Sequence, residues 1–169
     1  MSTPSPPDDV SSADGPEGEA PPGTILAPSP LLTLAAFLVG VLIERVWPST
    51  LLPWPWTLPV GLVLVGGGAG LFGGAIWTMR SHNKHPAHSD EPPDLITDGP
   101  FRISRNPIYV GHSLVHVGAS FLIDSVWPLV TLVPLGVYLR RVVRREEKRL
   151  SALFGDEYDR YRRRVRRWL

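Results

Sequence analysis

Residues 58–79 form a run of 22 without one charged side chain. Wound as an α-helix at ~1.5 Å per residue, that run is roughly 33 Å long, enough to cross the hydrocarbon layer of a bilayer. A helix suits that setting because it satisfies its own backbone hydrogen bonds where water cannot. The bulk composition hides this. Of 169 residues, 43% are hydrophobic, 17 basic and 16 acidic, and the mean hydropathy of +0.03 averages a polar head, an apolar middle and a basic tail. There is no cysteine, which excludes disulfides, thiolate nucleophiles and cysteine-based metal sites. The 19 prolines and 16 glycines are too many for a helical bundle in water, but both residues are tolerated in extended tails and in membrane helices.

Three segments follow from this. Residues 1–30 carry eight prolines, five acids and no lysine or arginine, a composition that cannot repay the entropy of ordering, so a disordered leader is expected. It lacks the positive start and early apolar stretch of a secretory signal and is expected to be kept. Residues 31–79 read as a transmembrane hairpin. Its first helix covers 31–43, with Glu44 and Arg45 at the end, and a turn rich in proline and tryptophan joins it to 58–79. Residues 80–169 form the third segment: a polar loop, apolar stretches at 108–123 and 126–143 split by Asp124 and Ser125, and a basic tail. Pro134 should kink the fourth helix. The last 30 residues hold 12 of the 17 basic side chains, which places them and both termini in the cytoplasm after four crossings. In the tail Phe154, Tyr158, Tyr161, Val165 and Trp168 recur at steps of three and four, the pattern of a helix lying on the bilayer. The expected fold class is thus all-α and integral to the membrane, with four transmembrane helices in two hairpins plus a C-terminal amphipathic interfacial helix.

Gly68, Gly70 and Gly73 satisfy G-x-G-x-x-G, but no strand precedes them and no acidic residue follows at the right distance, so dinucleotide binding is rejected. Gly66, Gly70 and Gly74 at four-residue spacing are expected to let helix backbones approach closely. His82, His85, His88, His112 and His116 are too few and too scattered for an iron-dependent membrane oxygenase, and no metal is expected. Helix three is more informative. Arg105, Tyr109, His112 and His116 fall within a stripe of about 60°, giving one polar side to a membrane helix. Ionisable groups at that depth by default mark a functional site, although polar contacts between helices would explain them too. Glu146 and Glu147 stand among Arg140, Arg141, Arg144, Arg145, Lys148 and Arg149 where the fourth helix should leave the bilayer. Pairs such as Arg144 with Glu147 and Glu146 with Arg149 are at helix spacing.

The stretch L-I-T-D-G-P-F-R-I-S-R-N-P-I-Y-V-G at 95–111, followed some 35 residues later by E-E-K-R-L-S-A-L-F-G-D-E-Y-D-R-Y, resembles the isoprenylcysteine carboxyl methyltransferase and phospholipid methyltransferase superfamily. The resemblance spans roughly 80–169. It implies S-adenosylmethionine held at the cytoplasmic membrane face, with Leu95, Ile96 and Phe101 along the adenosine part. Asn106, Pro107, Ile108 and Tyr109 would form a wall, and Glu146 would meet the cofactor's amino group. Arg105 and Glu147 belong to the same motifs. Arg141 or Arg144 lies near the arginine that the isoprenylcysteine branch uses for its substrate carboxylate. Phe101 stands where tyrosine is usual, and Asn106 where that branch has histidine. Asparagine still donates and accepts hydrogen bonds, so cofactor binding is expected to survive.

Methyl transfer from a sulfonium needs alignment away from water more than it needs a nucleophile, which suits a chain with no catalytic triad or metal cluster. An amine acceptor would have to lose a proton, and His112 is the candidate base. The expected function is methylation of a lipidic or apolar small acceptor at the cytoplasmic face, in a reaction like that of the isoprenylcysteine carboxyl methyltransferases, with phospholipid or amine N-methylation as an alternative. A non-catalytic membrane scaffold keeping the fold is the other alternative. The lipid bilayer and the acceptor are the expected partners, nucleic acid is not, and the oligomeric state is left open.

Overall fold

The computed structural model describes residues 29–52, 55–82 and 94–169. The expected leader, apart from its last two residues, lies outside the described residues, as do His85 and His88. The chain forms α1 (Ser29–Val46), α2 (Thr57–His82), a 3₁₀ turn (Gly99–Arg102), α3 (Pro107–Leu122) and α4 (Trp127–Arg164), with no strand among the described residues. Of the described helices, α2 is the one long and apolar enough to cross a membrane by length and composition. Large apolar side chains such as Leu38, Leu42, Val63, Val133 and Val137 stand exposed on the outer faces of α1, α2 and α4.

The fourth helix runs further than expected. It does not end near residue 143 but continues through 140–149, which contains neither proline nor glycine. Its interruption comes at Gly155, where φ is 49° and ψ is −124°, a conformation open to glycine. Pro134 lies inside the helix without ending it.

The packed pairs are not the two expected hairpins. α2 packs chiefly on α3 and α1 on α4, α3 also meets α4 and α1, and α1 and α2 make no substantial contact. The expected first hairpin, 31–79, therefore does not pack as one, and a gap opens between its two helices over α3. The seam between α2 and α3 is built on Gly61 and Gly68 against Gly111 and Gly118. A Cβ on Gly68 would lie 2.6 Å from the Gly111 carbonyl oxygen, and one on Gly118 would lie 2.7 Å from the Val65 nitrogen. The expectation for Gly66, Gly70 and Gly74 is thereby corrected. The first two have nothing within 4 Å, and the third meets only the Pro100 ring. The true seam has seven-residue spacing, the repeat that keeps one side of a helix against its neighbour. Gly40 does the same for α1, placing its Cα where a Cβ would come within 2.5 Å of the Pro128 Cα.

At the end of the bundle opposite the basic tail, two carboxylates tie the turns together. Glu44 accepts from the Ser49 amide and hydroxyl, both at 2.6 Å, and from the Ser125 hydroxyl at 2.5 Å. Asp124, at φ 50°, accepts from the amides of Leu51 and Leu52. The Trp127 indole donates to the Trp47 carbonyl at 2.6 Å.

The C-terminal helix also departs from expectation. Its aromatic side is spent on the protein: Tyr158 is 1% exposed and Tyr161 is 9% exposed, and the Tyr161 hydroxyl donates to the Phe101 carbonyl at 2.7 Å. The helix stops at Arg164, so Val165 and Trp168 lie in a non-helical end segment, where Trp168 packs on the core cluster of Tyr109, Leu135, Leu139 and Val143.

Candidate active site

α3 begins at Pro107, whose missing amide hydrogen is of no consequence at a first helical position. Directly before it, 104–106 turns under the end segment 165–169. The Arg105 amide donates to the Arg166 carbonyl at 2.9 Å, and the Ser104 hydroxyl and Asn106 Nδ2 both donate to the Arg167 carbonyl at 3.1 Å. Asn106 thus uses its amide group on the chain's own end and makes no side-chain cap on α3. Below this strap, Glu147 takes two hydrogen bonds from the Arg167 guanidinium, at 3.0 and 2.6 Å, and has Arg105 Nη1 at 3.2 Å. The Glu147 and Arg105 side chains are buried, and Arg167 reaches them from the half-exposed end segment. The Glu147 bond also holds the Arg167 charge more firmly. Neither helix-spaced pair expected for these acids forms: Glu147 turns to Arg105 and Arg167, and Glu146 turns to Tyr109.

Glu146 and Tyr109 face a hollow of about 60 Å³ that is also lined by Met79, Phe101, Arg105, Asn106, Pro107 and Ile108. The Tyr109 hydroxyl donates to Glu146 Oε2 across 3.4 Å, a stretched bond that a third group could enter. Burial pushes the Glu146 carboxyl above the usual carboxylate range. The Tyr109 hydrogen bond opposes that rise and the Glu147 charge adds to it. Burial likewise raises the phenols of Tyr158 and Tyr161. Seven of the ten expected cofactor residues therefore line one hollow. Leu95 lines a second, of about 360 Å³, with Thr97, Arg102, Tyr161 and Arg164, across the backbone at Phe101 and Arg102. Ile96 is half-buried beside Leu95, and Glu147 sits in the ion cluster. Arg141 is exposed, and Arg144 lines a separate basic hollow of about 550 Å³ with Lys148, Arg162 and Arg167.

His112 lies one turn further along α3, its ring edge-on to that of Tyr109 at 5.7 Å between centroids. It faces an apolar groove of about 440 Å³, and its Nδ1 meets Thr33 Oγ1 of α1 at 3.2 Å. His116 donates Nε2–H to the Pro128 carbonyl at 2.8 Å, so the outer histidine of the stripe joins α3 to α4. His82, on α2, bonds the Thr78 carbonyl at 2.9 Å and comes within 3.5 Å of Asp98. Sequence reasoning missed Met79 and the carbonyls of the end segment, for which no side-chain pattern gives a signal. It also missed Thr33, although a lone hydroxyl in an apolar run was a signal to find.

A family model described as phospholipid methyltransferase matches residues 56–157, well over half of the chain. The chain belongs to the phospholipid methyltransferase family. No curated protein and no solved structure matches it. The matched region contains α2, the turn at 99–102, α3 and the part of α4 that carries Glu146 and Glu147. Phospholipid methyltransferases are membrane-associated, and the apolar α2 agrees with that setting. Members of the family typically take their methyl group from S-adenosylmethionine.

Proposed function

We propose that this chain is an S-adenosylmethionine-dependent methyltransferase that spans the membrane four times, has both termini in the cytoplasm, and methylates a lipidic acceptor at the inner face. The observation that carries this is the meeting of Tyr109 and Glu146 over one hollow within the family-matched segment. The lining suits the donor: an aromatic ring and aliphatic walls for an apolar body, and one desolvated carboxylate for a cationic amine. About 60 Å³ seats only part of such a molecule. In this reading the rest of the molecule would pass the Phe101–Arg102 turn into the separate hollow of about 360 Å³ beside Leu95 and Tyr161.

When bound, S-adenosylmethionine supplies an electrophilic methyl group. The chain supplies position and dryness. Glu146 holds the amino end, and Phe101, Ile108 and Tyr109 flank the rest. In this role Asn106 and Ser104 keep the end segment in place, and Arg105 and Glu147 hold it down. For an amine acceptor His112 is the proposed base, since its imidazole lies immediately behind Tyr109. Arg141 and Arg144, outside the donor hollow, are assigned to phosphate-bearing headgroups of the inner leaflet, each nearby arginine contributing on the order of 1 kcal/mol.

Calorimetry on the purified full chain in detergent tests the reading. S-adenosylmethionine should bind in about the micromolar range, and Glu146→Ala should weaken binding by about tenfold or more. No heat from folded wild-type protein overturns it. Radiolabelled cofactor incubated with total membrane lipid then identifies the fraction that acquires the label.

A further inference from the structure

The gap left between α1 and α2 is an apolar groove with two anomalies. Its walls come from helices that barely touch each other, Thr33 and Phe37 on α1 and Ala69 and Phe72 on α2, while α3 forms its floor. A bundle packed only for stability would close such a gap, because side chains along it forgo contacts on one side. The second anomaly is on the floor. His112 is 8% exposed and engages Thr33 through Nδ1, yet its Nε2 is buried with no hydrogen-bond partner. Buried polar nitrogens are nearly always satisfied, and an orphan one points to a missing group. His116, one turn away on the same floor, places its Nε2 on the Pro128 carbonyl, while its Nδ1 is a second buried nitrogen with no hydrogen-bond partner.

We infer that the groove holds the acceptor as a single-chain amphiphile with a small uncharged head, and that the head hydrogen-bonds Nε2 of His112. The volume, about 440 Å³, lies toward the low end of small-ligand sites and suits one chain. The lining, from the level of His112 to that of Ala119, extends about 10 Å along α3 at ~1.5 Å per residue, so the chain would lie along the helix with its head toward the cytoplasmic end. An ionised head would be stranded, because no charged side chain lines the groove. His112 itself stands edge-on to the ring of Tyr109, which lines the donor hollow. Imidazole in either tautomer serves a hydroxyl or a neutral amine, each of which both donates and accepts. His112 is thus a specificity-determining residue for the head as well as the proposed base. This assignment rests on the methyltransferase reading only for its use, not for the binding itself.

A photoreactive long-chain alcohol, added to the full chain in nanodiscs and mapped by mass spectrometry, is the direct probe. Label should fall on peptides containing Phe72 or Val115. Unlabelled long-chain alcohol should compete at least tenfold better than the matching hydrocarbon. His112→Phe, which keeps an aromatic ring and removes the nitrogen, should lower labelling about tenfold, and Ala69→Trp, on an exposed part of the wall, should abolish it. Equal competition by alcohol and hydrocarbon, with labelling unchanged in His112→Phe, overturns the inference, since ordinary bilayer lipid then fills the groove. Cofactor calorimetry on the same samples reports folding of the variants and keeps the two readings apart. Alcohol binding without S-adenosylmethionine binding sinks the methyltransferase reading alone. Cofactor binding without discrimination for the alcohol sinks the groove assignment alone.

Discussion

Glu146 is a residue held in a place that does not suit it. Burial raises its carboxyl above the ordinary value of 4.5, so the folded chain holds the proton more tightly than the unfolded chain does. The ionised form therefore works against folding: stability should decline as pH climbs from about 4.5 through the raised folded value, and be lowest above it. Glu146→Gln removes that decline. Without cofactor at neutral pH its Tm should exceed that of the wild type, while its affinity for S-adenosylmethionine should fall by about tenfold or more, the cost of one charge-assisted hydrogen bond. Thermal melts at two pH values, with and without cofactor, check both directions. A variant that is less stable than wild type at neutral pH would show that the carboxylate serves the fold and not a ligand.

Among the helices, the contrast between two sets of glycines is the sharpest test of the packing. Gly68→Ala puts a methyl group 2.6 Å from the Gly111 carbonyl oxygen, a backbone atom that cannot step aside, and should cost about 1–3 kcal/mol. Gly70→Ala meets nothing within 4 Å and should be neutral or stabilise by about 0.5–1 kcal/mol, the usual gain of alanine in a helix interior. Unfolding of both variants in mixed micelles compares them. The sequence shows that α2 is a helix rich in glycine, because the apolar run is long and uncharged. It does not show which glycines matter, because a run apolar on every side has no periodicity to mark its packed side. The same limit hid the pairing of α1 with α4. Loop length and turn composition joined α1 to α2, but the contacts were decided by Gly40 at Pro128 and by the seam on α3. The polar stripe on α3 was legible for Tyr109, His112 and His116, which stand out against an apolar background, whereas Arg105 falls before the helix starts at Pro107. That His112 and His116 serve different neighbours, Thr33 and Pro128, was not, because a stripe says which side a residue is on and not what lies opposite.

At the scale of the whole molecule, the end of the chain and the start of α3 are one assembly. Glu147→Gln should leave Arg105 buried beside an uncharged amide and unfasten Arg167, costing about 3 kcal/mol, the range seen when one partner of a buried ion pair is removed. Denaturant unfolding measures that loss, and cofactor affinity should drop with it because the strap at 165–169 holds Arg105 and Asn106, which line the hollow. The basic tail was conspicuous in the sequence as charge. Its role as a strap was not, because, apart from the Arg167–Glu147 pair, the bonds that make it one run to the carbonyls of Arg166 and Arg167, and a backbone carbonyl leaves no trace in the order of side chains. In the proposed reading the donor enters beside Glu146 and the acceptor enters between α1 and α2, and the two routes meet where Tyr109 stands against His112. Neither has to pass the other to arrive or depart, so turnover needs no fixed sequence of binding. Initial-rate plots that vary both substrates should intersect, and the spent donor and the methylated product should leave by separate doors into separate phases.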